Sequence, residues 1–161
     1  MSHTPAVSAT LEDYLEAILK LEREKTAARV RDLAAELKVH KSTVTAALKA
    51  LAERDLVSYS PYELAALTPS GRQIAEEVTR HHGILKRFLT DVLLLDKEAA
   101  GANACRMEHV VDGIVMERLV LFARFLKGGT PAGRRWLKQF GEFVAREGGR
   151  PADPGAEGEG A

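Results

Sequence analysis

The feature that most limits what this chain can fold into is a helical apolar period, carried from Leu11 to Phe143 and replaced by strand-like spacing at one place only. From Thr10, the residues Leu11, Tyr14, Leu15, Ile18, Leu19 and Leu21 recur at helical spacing with acids in the first turn, which predicts a helix to about Glu24. Val30, Leu33, Ala34 and Leu37 predict a second, short helix. Val44, Leu48, Leu51 and Leu56 predict a third, after the polar break His40-Lys41-Ser42. Three short helices with a tight turn between the last two make a helix-turn-helix. The interruption comes next: Leu56 to Ser60 and Leu64 to Thr68 read as two short strands around Pro61-Tyr62-Glu63, a hairpin that forms a wing. Thr68 as N-cap and Pro69 at the first helical position then open a long helix to about Leu94. Segments 97–109, 111–127 and 131–146 keep helical spacing, the last through Trp136, Phe140 and Phe143.

The fold class that follows is mainly α: a winged helix-turn-helix over 10–72 with a two-stranded wing, then an all-helical domain over 73–147. Residues 1–9 and 148–161 are small and Gly/Pro-rich, and are expected to be tails. With 161 residues, 45% of them hydrophobic, the chain can fill one core or two small ones. The apolar stripes of the second half exceed what so small a unit can bury by itself, which predicts a homodimer.

Charge balances at 23 basic and 23 acidic residues, so any nucleic-acid footprint must be a local patch. The lone cysteine, Cys105, has no internal disulfide partner, and no signal peptide or membrane span is visible, which predicts a cytoplasmic protein. A helix-turn-helix lays the first turns of its second helix in the major groove of double-stranded DNA. Those turns carry Lys41, Ser42, Thr43, Thr45, Ala46 and Lys49: cations for phosphates, hydroxyls for polar edges and a methyl for thymine. Arg31, with Arg29, and the wing-tip Tyr62 are candidate backbone contacts. Three such helices also occur as protein-binding bundles, and the wing is what favours DNA.

Cys105, Glu108 and His109 stand at i, i+3 and i+4, on one face of a helix. Asp13 and Glu16 are likewise i and i+3, and His82 lies in the long helix, so three helices can present donors to one metal cluster. Each residue alone has a plain explanation as a first-turn acid or a solvated polar group. Two other readings of the donors are a dinuclear metallohydrolase and a redox sensor acting through Cys105. The absence of a separate general base or pocket signature weighs against an enzyme.

Over about residues 10–146 the chain resembles the DtxR/MntR family of divalent-metal-dependent repressors, in Leu-Glu-Asp-Tyr-Leu-Glu-Ala-Ile (11–18), Val-His-Lys-Ser-Thr-Val-Thr (39–45), Leu-Thr-Pro-Ser-Gly (67–71), His-Gly-Ile-Leu-Lys-Arg-Phe-Leu (82–89) and Ala-Cys-Arg-Met-Glu-His-Val (104–110). The resemblance implies a repressor of metal-uptake genes with Asp13, Glu16, His82, Cys105, Glu108 and His109 as ligands, and no enzyme activity. Asp13 and Glu16 match manganese-type members and imply two ions per subunit; Cys105 matches iron-type members. Carboxylate oxygens suit Mn(II), with Fe(II) the alternative and Co(II) or Zn(II) able to substitute in vitro. Lys86 and Gly101 stand where iron-type members have the Glu and His of an ancillary site, so that site is expected to be missing. His81 is expected at the surface, about 100° around the helix from His82.

Overall fold

The computed structural model describes residues 7–25, 28–59 and 64–147. Among them the order of elements is α1 (Ala9–Lys25), α2 (Val30–Leu37), α3 (Lys41–Ala52), β1 (Val57–Ser58), β2 (Ala66–Leu67), α4 (Pro69–Asp91), α5 (Lys97–Met107), α6 (Gly113–Lys127) and α7 (Pro131–Glu147). The architecture is the mainly α one expected, a three-helix unit with a two-stranded ribbon followed by four helices.

The first core gathers the apolar stripes read from the sequence. Leu15, Ile18 and Leu21 of α1, Leu33 of α2, and Val44, Leu48 and Leu51 of α3 are all buried in it. Lys38 makes the tight turn: in the left-handed conformation (φ 55°) it ends α2, and Val39 N–H closes back on Ala34 O at 3.1 Å. Leu56 is a correction. The apolar period carries it into the third helix, but α3 ends at Ala52, because Asp55 takes a left-handed φ of 56° and reverses the chain. Leu56 still reaches the same core, from the loop.

β1 and β2 pair antiparallel, Val57 with Leu67 and Ser58 with Ala66, and an isolated bridge joins Ala65 to Ala28 ahead of α2. The hairpin turn, Tyr62 included, and all of the expected tails except residues 7–9 lie outside the described residues. Thr68 caps α4 as predicted: its hydroxyl accepts from Gly71 N–H at 3.1 Å and donates to Asp55 O at 2.8 Å. Gly71 is required there, since a Cβ would sit 1.9 Å from Leu56 O.

Helix α4 joins the two halves. Its N-terminal Ala75 belongs to the first core; Leu85 and Leu89 belong to a second, smaller one with Ala100, Ala104 and Met116. It packs against α1, α5 and α6, so more than one of its faces is covered. This overturns the surface position expected for His81, which is 8% exposed. The helix also stops at Asp91, before Leu94, which adopts φ 61°. A row of rings ties α4 to α6 and α7: Phe88 to Phe122 at 6.3 Å, Phe122 to Trp136 at 5.7 Å, and Trp136 to Phe140 at 5.3 Å between centroids. Beyond it, Ile114, Val115, Leu121 and Phe125 of α6 and Phe143 of α7 remain exposed. Among the described residues no helix is long and apolar enough to cross a membrane.

Candidate metal centre and reading head

Three segments meet where α1 crosses α4 and the end of α5. The first turns of α1 supply Glu12, Asp13 and Glu16; α4 supplies His82; the C-terminus of α5 and the turn after it supply Cys105, Glu108 and His109. Glu108 and His109 are not inside a helix as the i, i+3, i+4 reading has it. α5 ends at Met107, where the β-branched Val110 and Val111 and the cap sequence Asp112-Gly113 redirect the chain into α6. Glu108 keeps helical angles as the C-cap, its N–H bonded to Ala104 O, so it still points with Cys105 toward α1 and α4.

The contacts are close. His109 Nε2 lies 3.0 Å from Asp13 Oδ1, and its Nδ1 lies 2.6 Å from Glu12 Oε2. His82 Nδ1 lies 2.6 Å from Glu108 Oε2, while the other Glu108 oxygen is 3.5 Å from His109 Nε2. Asp13, Glu16, His82 and Cys105 line one open groove beside these pairs. Its wall cations are paired, Lys20 with Glu36 of the same groove at 2.6 Å and Arg23 with Glu76 at 3.8 Å. The structure thus gathers all six ligand candidates at one locality, and adds Glu12.

Glu12 escapes a sequence reading because an acid in the first turn of a helix is already explained by the helix dipole. The one signal was the need of a metal-binding histidine for a carboxylate on its other ring nitrogen.

The electrostatics are those of crowded carboxylates. Burial, reinforced by Glu16, pushes Glu108 up to about 7 against the opposing pull of His82 and His109. Burial and then the charges of Glu108, Asp13 and Glu16 push the Cys105 thiol up. For His109 burial disfavours the charged ring, but the hydrogen bond to Glu12 and the nearby Asp13 and Glu108 outweigh it and raise it.

The donor set fits a divalent cation. Asp13, Glu108 and His109 each offer one ligand atom within 4.8 Å of the others. Glu108 has a fully buried side chain, yet its Oε1 has no hydrogen-bond partner, an arrangement that costs free energy unless something positive completes it. Lys86 Nζ lies 3.8 Å from the place a Gly101 Cβ would take, so an ammonium already fronts that part of α5.

At the reading head, Lys41, Ser42, Thr43, Ala46 and Lys49 are exposed along one side of α3, opposite the buried Val44, Leu48 and Leu51. Thr45 is half-buried and its hydroxyl donates to Lys41 O at 3.0 Å, leaving its lone pairs and methyl for outside contacts. Arg31 is exposed, with Nε 3.6 Å from Asp32 Oδ1.

Residues 6–65 match the N-terminal DNA binding domain of the iron dependent repressors, and residues 68–137 match their metal binding and dimerisation domain. An uncharacterized HTH-type transcriptional regulator of Methanocaldococcus jannaschii is 34% identical over 122 residues, which are 75% of this chain and 98% of that protein. The HTH-type transcriptional regulator MntR of Geobacillus thermodenitrificans is 35% identical over 105 residues, 65% of this chain and 69% of its own. Among solved structures, the manganese regulator SloR superposes with a TM-score of 0.65 at 27% identity, covering 71% of this chain and 54% of its own, so the chain spans about half of that regulator. Both halves of the chain are matched in this way, and the chain belongs to the iron dependent repressor family of metal-dependent transcriptional regulators, which are not enzymes.

Proposed function

We propose that this protein is a homodimeric, Mn(II)-activated repressor that binds double-stranded operator DNA in the cytoplasm and controls metal-uptake genes. The observation that carries this reading is the bridge from His109 to Asp13 and Glu12, which joins the second half of the chain to α1 of the DNA-binding unit across 96 and 97 residues of sequence. Asp13, Glu16, His82, Cys105, Glu108 and His109 would hold the metal, up to two ions per subunit, with Glu12 orienting His109 through its other nitrogen. A bound divalent cation supplies the positive charge that lets these carboxylates and a Cys105 thiolate stay ionised together. Asp13 and Glu16 belong to the first half and Glu108 and His109 to the second, so these side chains converge fully only when the two halves keep one orientation. Holding that orientation sets the spacing of two recognition helices for two half-sites. A 100-fold preference of metal for that orientation shifts the equilibrium by about 2.7 kcal/mol, enough for a switch.

Three carboxylates in the cluster support Mn(II). The exposed Cys105 thiol on the groove is the feature that favours Fe(II) instead. A redox sensor is less well supported, because reactive cysteines have lowered thiol pKa values and this one is raised. The reading head would use Lys41, Ser42, Thr43, Thr45, Ala46 and Lys49, with Arg31 and Tyr62 at its margins. Operator titrations of Asp13→Ala and Glu108→Ala with and without Mn(II) are the test. Both variants are expected to lose metal-dependent binding, and full metal-dependent binding by both would overturn the proposal. A parallel series with Mn(II), Fe(II), Co(II) and Zn(II) at controlled free concentrations decides the cation.

A further inference from the structure

The edge of β2 that faces away from β1 is held by α1. Across the ribbon, Thr68 N–H donates to Leu56 O at 3.1 Å, and N–H groups alternate in direction along an antiparallel strand, so those of Leu67 and Ala65 point outward. Ala65 N–H finds Ala28 O at 2.9 Å. Leu67 N–H finds a side chain: it donates to Glu22 Oε1 at 3.0 Å, and the other oxygen of that carboxylate accepts from Arg72 of α4 at 2.5 Å. The Glu22 side chain is only 16% exposed.

One carboxylate therefore joins three elements: α1, which carries it, the strand β2 and the first turns of α4. The join matters because the ribbon is weak by itself. Its strands are two residues each, too short a ladder to fix the direction in which the hairpin leaves the core. Nor does charge hold it on a nucleic acid: the stretch from Leu56 to Thr68 contains no lysine or arginine, and one acid, Glu63. Without a cation drawn to phosphates, its hydroxyls and backbone N–H groups reach DNA only through short, directional hydrogen bonds, which fail on a displacement of about one ångström. Such a wing works only if its root is fixed relative to α3.

We propose that Glu22 is a positioning residue for DNA binding, its carboxylate locking β2 to α1 and α4 so that the wing and α3 meet the duplex as one body. This rests on the reading of the protein as a DNA-binding regulator. Glu22 acts through Leu67 N–H and Arg72 and not by contact with DNA. Arg72 holds one carboxylate oxygen, which leaves the other aimed at the strand as a charge-assisted acceptor.

The test uses the full chain as wild type, Glu22→Leu and Glu22→Gln, loaded with Mn(II), against a duplex that the wild type selects from a random-sequence pool. Mn(II) affinity without DNA and hydrogen exchange of Leu67 N–H are recorded alongside. Glu22→Leu is expected to speed exchange at Leu67 and to bind the duplex about tenfold more weakly, roughly 1.4 kcal/mol, with Mn(II) affinity within about twofold of wild type. Glu22→Gln keeps an acceptor for Leu67 N–H but not the ion pair with Arg72, and is expected to lose about threefold. DNA affinity equal to wild type in Glu22→Leu, or in Glu22→Gln should the first variant not fold, overturns the role and leaves the DNA-binding reading standing. A parallel fall in Mn(II) affinity also overturns it, because Glu22 then serves the fold as a whole. A wild type that selects no duplex would sink the DNA-binding reading and this role with it.

Discussion

The two halves of this protein finish their folding to different degrees. In the winged unit, the apolar faces of α1, α2 and α3 close on one another, and Leu15, Ile18, Leu33, Val44, Leu48 and Leu51 are all fully buried within a single chain. In the second half, a core of Leu85, Leu89, Ala100, Ala104 and Met116 is covered, while Ile114, Leu121, Phe125 and Phe143 stay in the open. The described part of the reading head covers its apolar faces within one chain; the second half leaves large apolar side chains uncovered. Under the proposed function this division would suit a regulator, because the covered part would read DNA and the uncovered part would be where subunit association and cation binding set its position.

The sharpest break of this contrast is cavity formation in the head. Leu48→Ala, at 0% exposure, should cost about 2–5 kcal/mol in urea or thermal melts whatever the protein concentration. A loss that depends on concentration would mean that the head also relies on the partner.

Next in size is the pH response of the metal-free protein. Glu108 is pushed from 4.5 up to about 7 by burial and Glu16, so its contribution to stability is fully present below 4.5 and is lost as pH rises through 7. His109, raised above 6.5 chiefly by Glu12 against its burial, contributes stability that is present below 6.5 and lost as pH rises through its folded value. Both act in the same direction. The metal-free protein should lose on the order of 1–3 kcal/mol between pH 5 and 8, with Mn(II) restoring stability at pH 8 and doing little at pH 5. Metal stabilisation of equal size at both values would contradict the site.

Phe125→Glu probes the open face, where Phe125 is 57% exposed. It should scarcely alter the stability of the isolated subunit but weaken self-association at least about tenfold, roughly 1.4 kcal/mol, shifting mass by light scattering toward the monomer. A wild-type monomer at micromolar concentration would remove the explanation given for the exposed face. The smallest effect is expected at Gly83, in the stretch of α4 between the two cores, where an added Cβ meets nothing within 4 Å. Gly83→Ala should stabilise by up to about 1 kcal/mol in thermal melts, and destabilisation there would show that α4 needs its glycine as a joint.

Much of the candidate site was legible in the primary structure because ligand chemistry is carried by residue type and local spacing: Asp13 with Glu16, and Cys105 with Glu108 and His109. Glu12 was not legible, because it looks like any first-turn acid until α1 is seen against the end of α5. The misplacement of His81 has the same origin, since a 100° rotation from His82 means exposure only on a helix with one covered face, and α4 is flanked by α1, α5 and α6.

By itself the sequence determined the helical periods, the Thr68 and Pro69 start of α4 and the identity of the candidate ligands, because each depends on neighbours within a few residues. Only the tertiary structure decided that His109 faces Glu12 and Asp13, that Glu108 is buried with one oxygen unmatched, and that the apolar surplus lies on α6 and α7. Those depend on which helix faces meet across the whole chain, and packing settles that only when every stripe competes for cover at once.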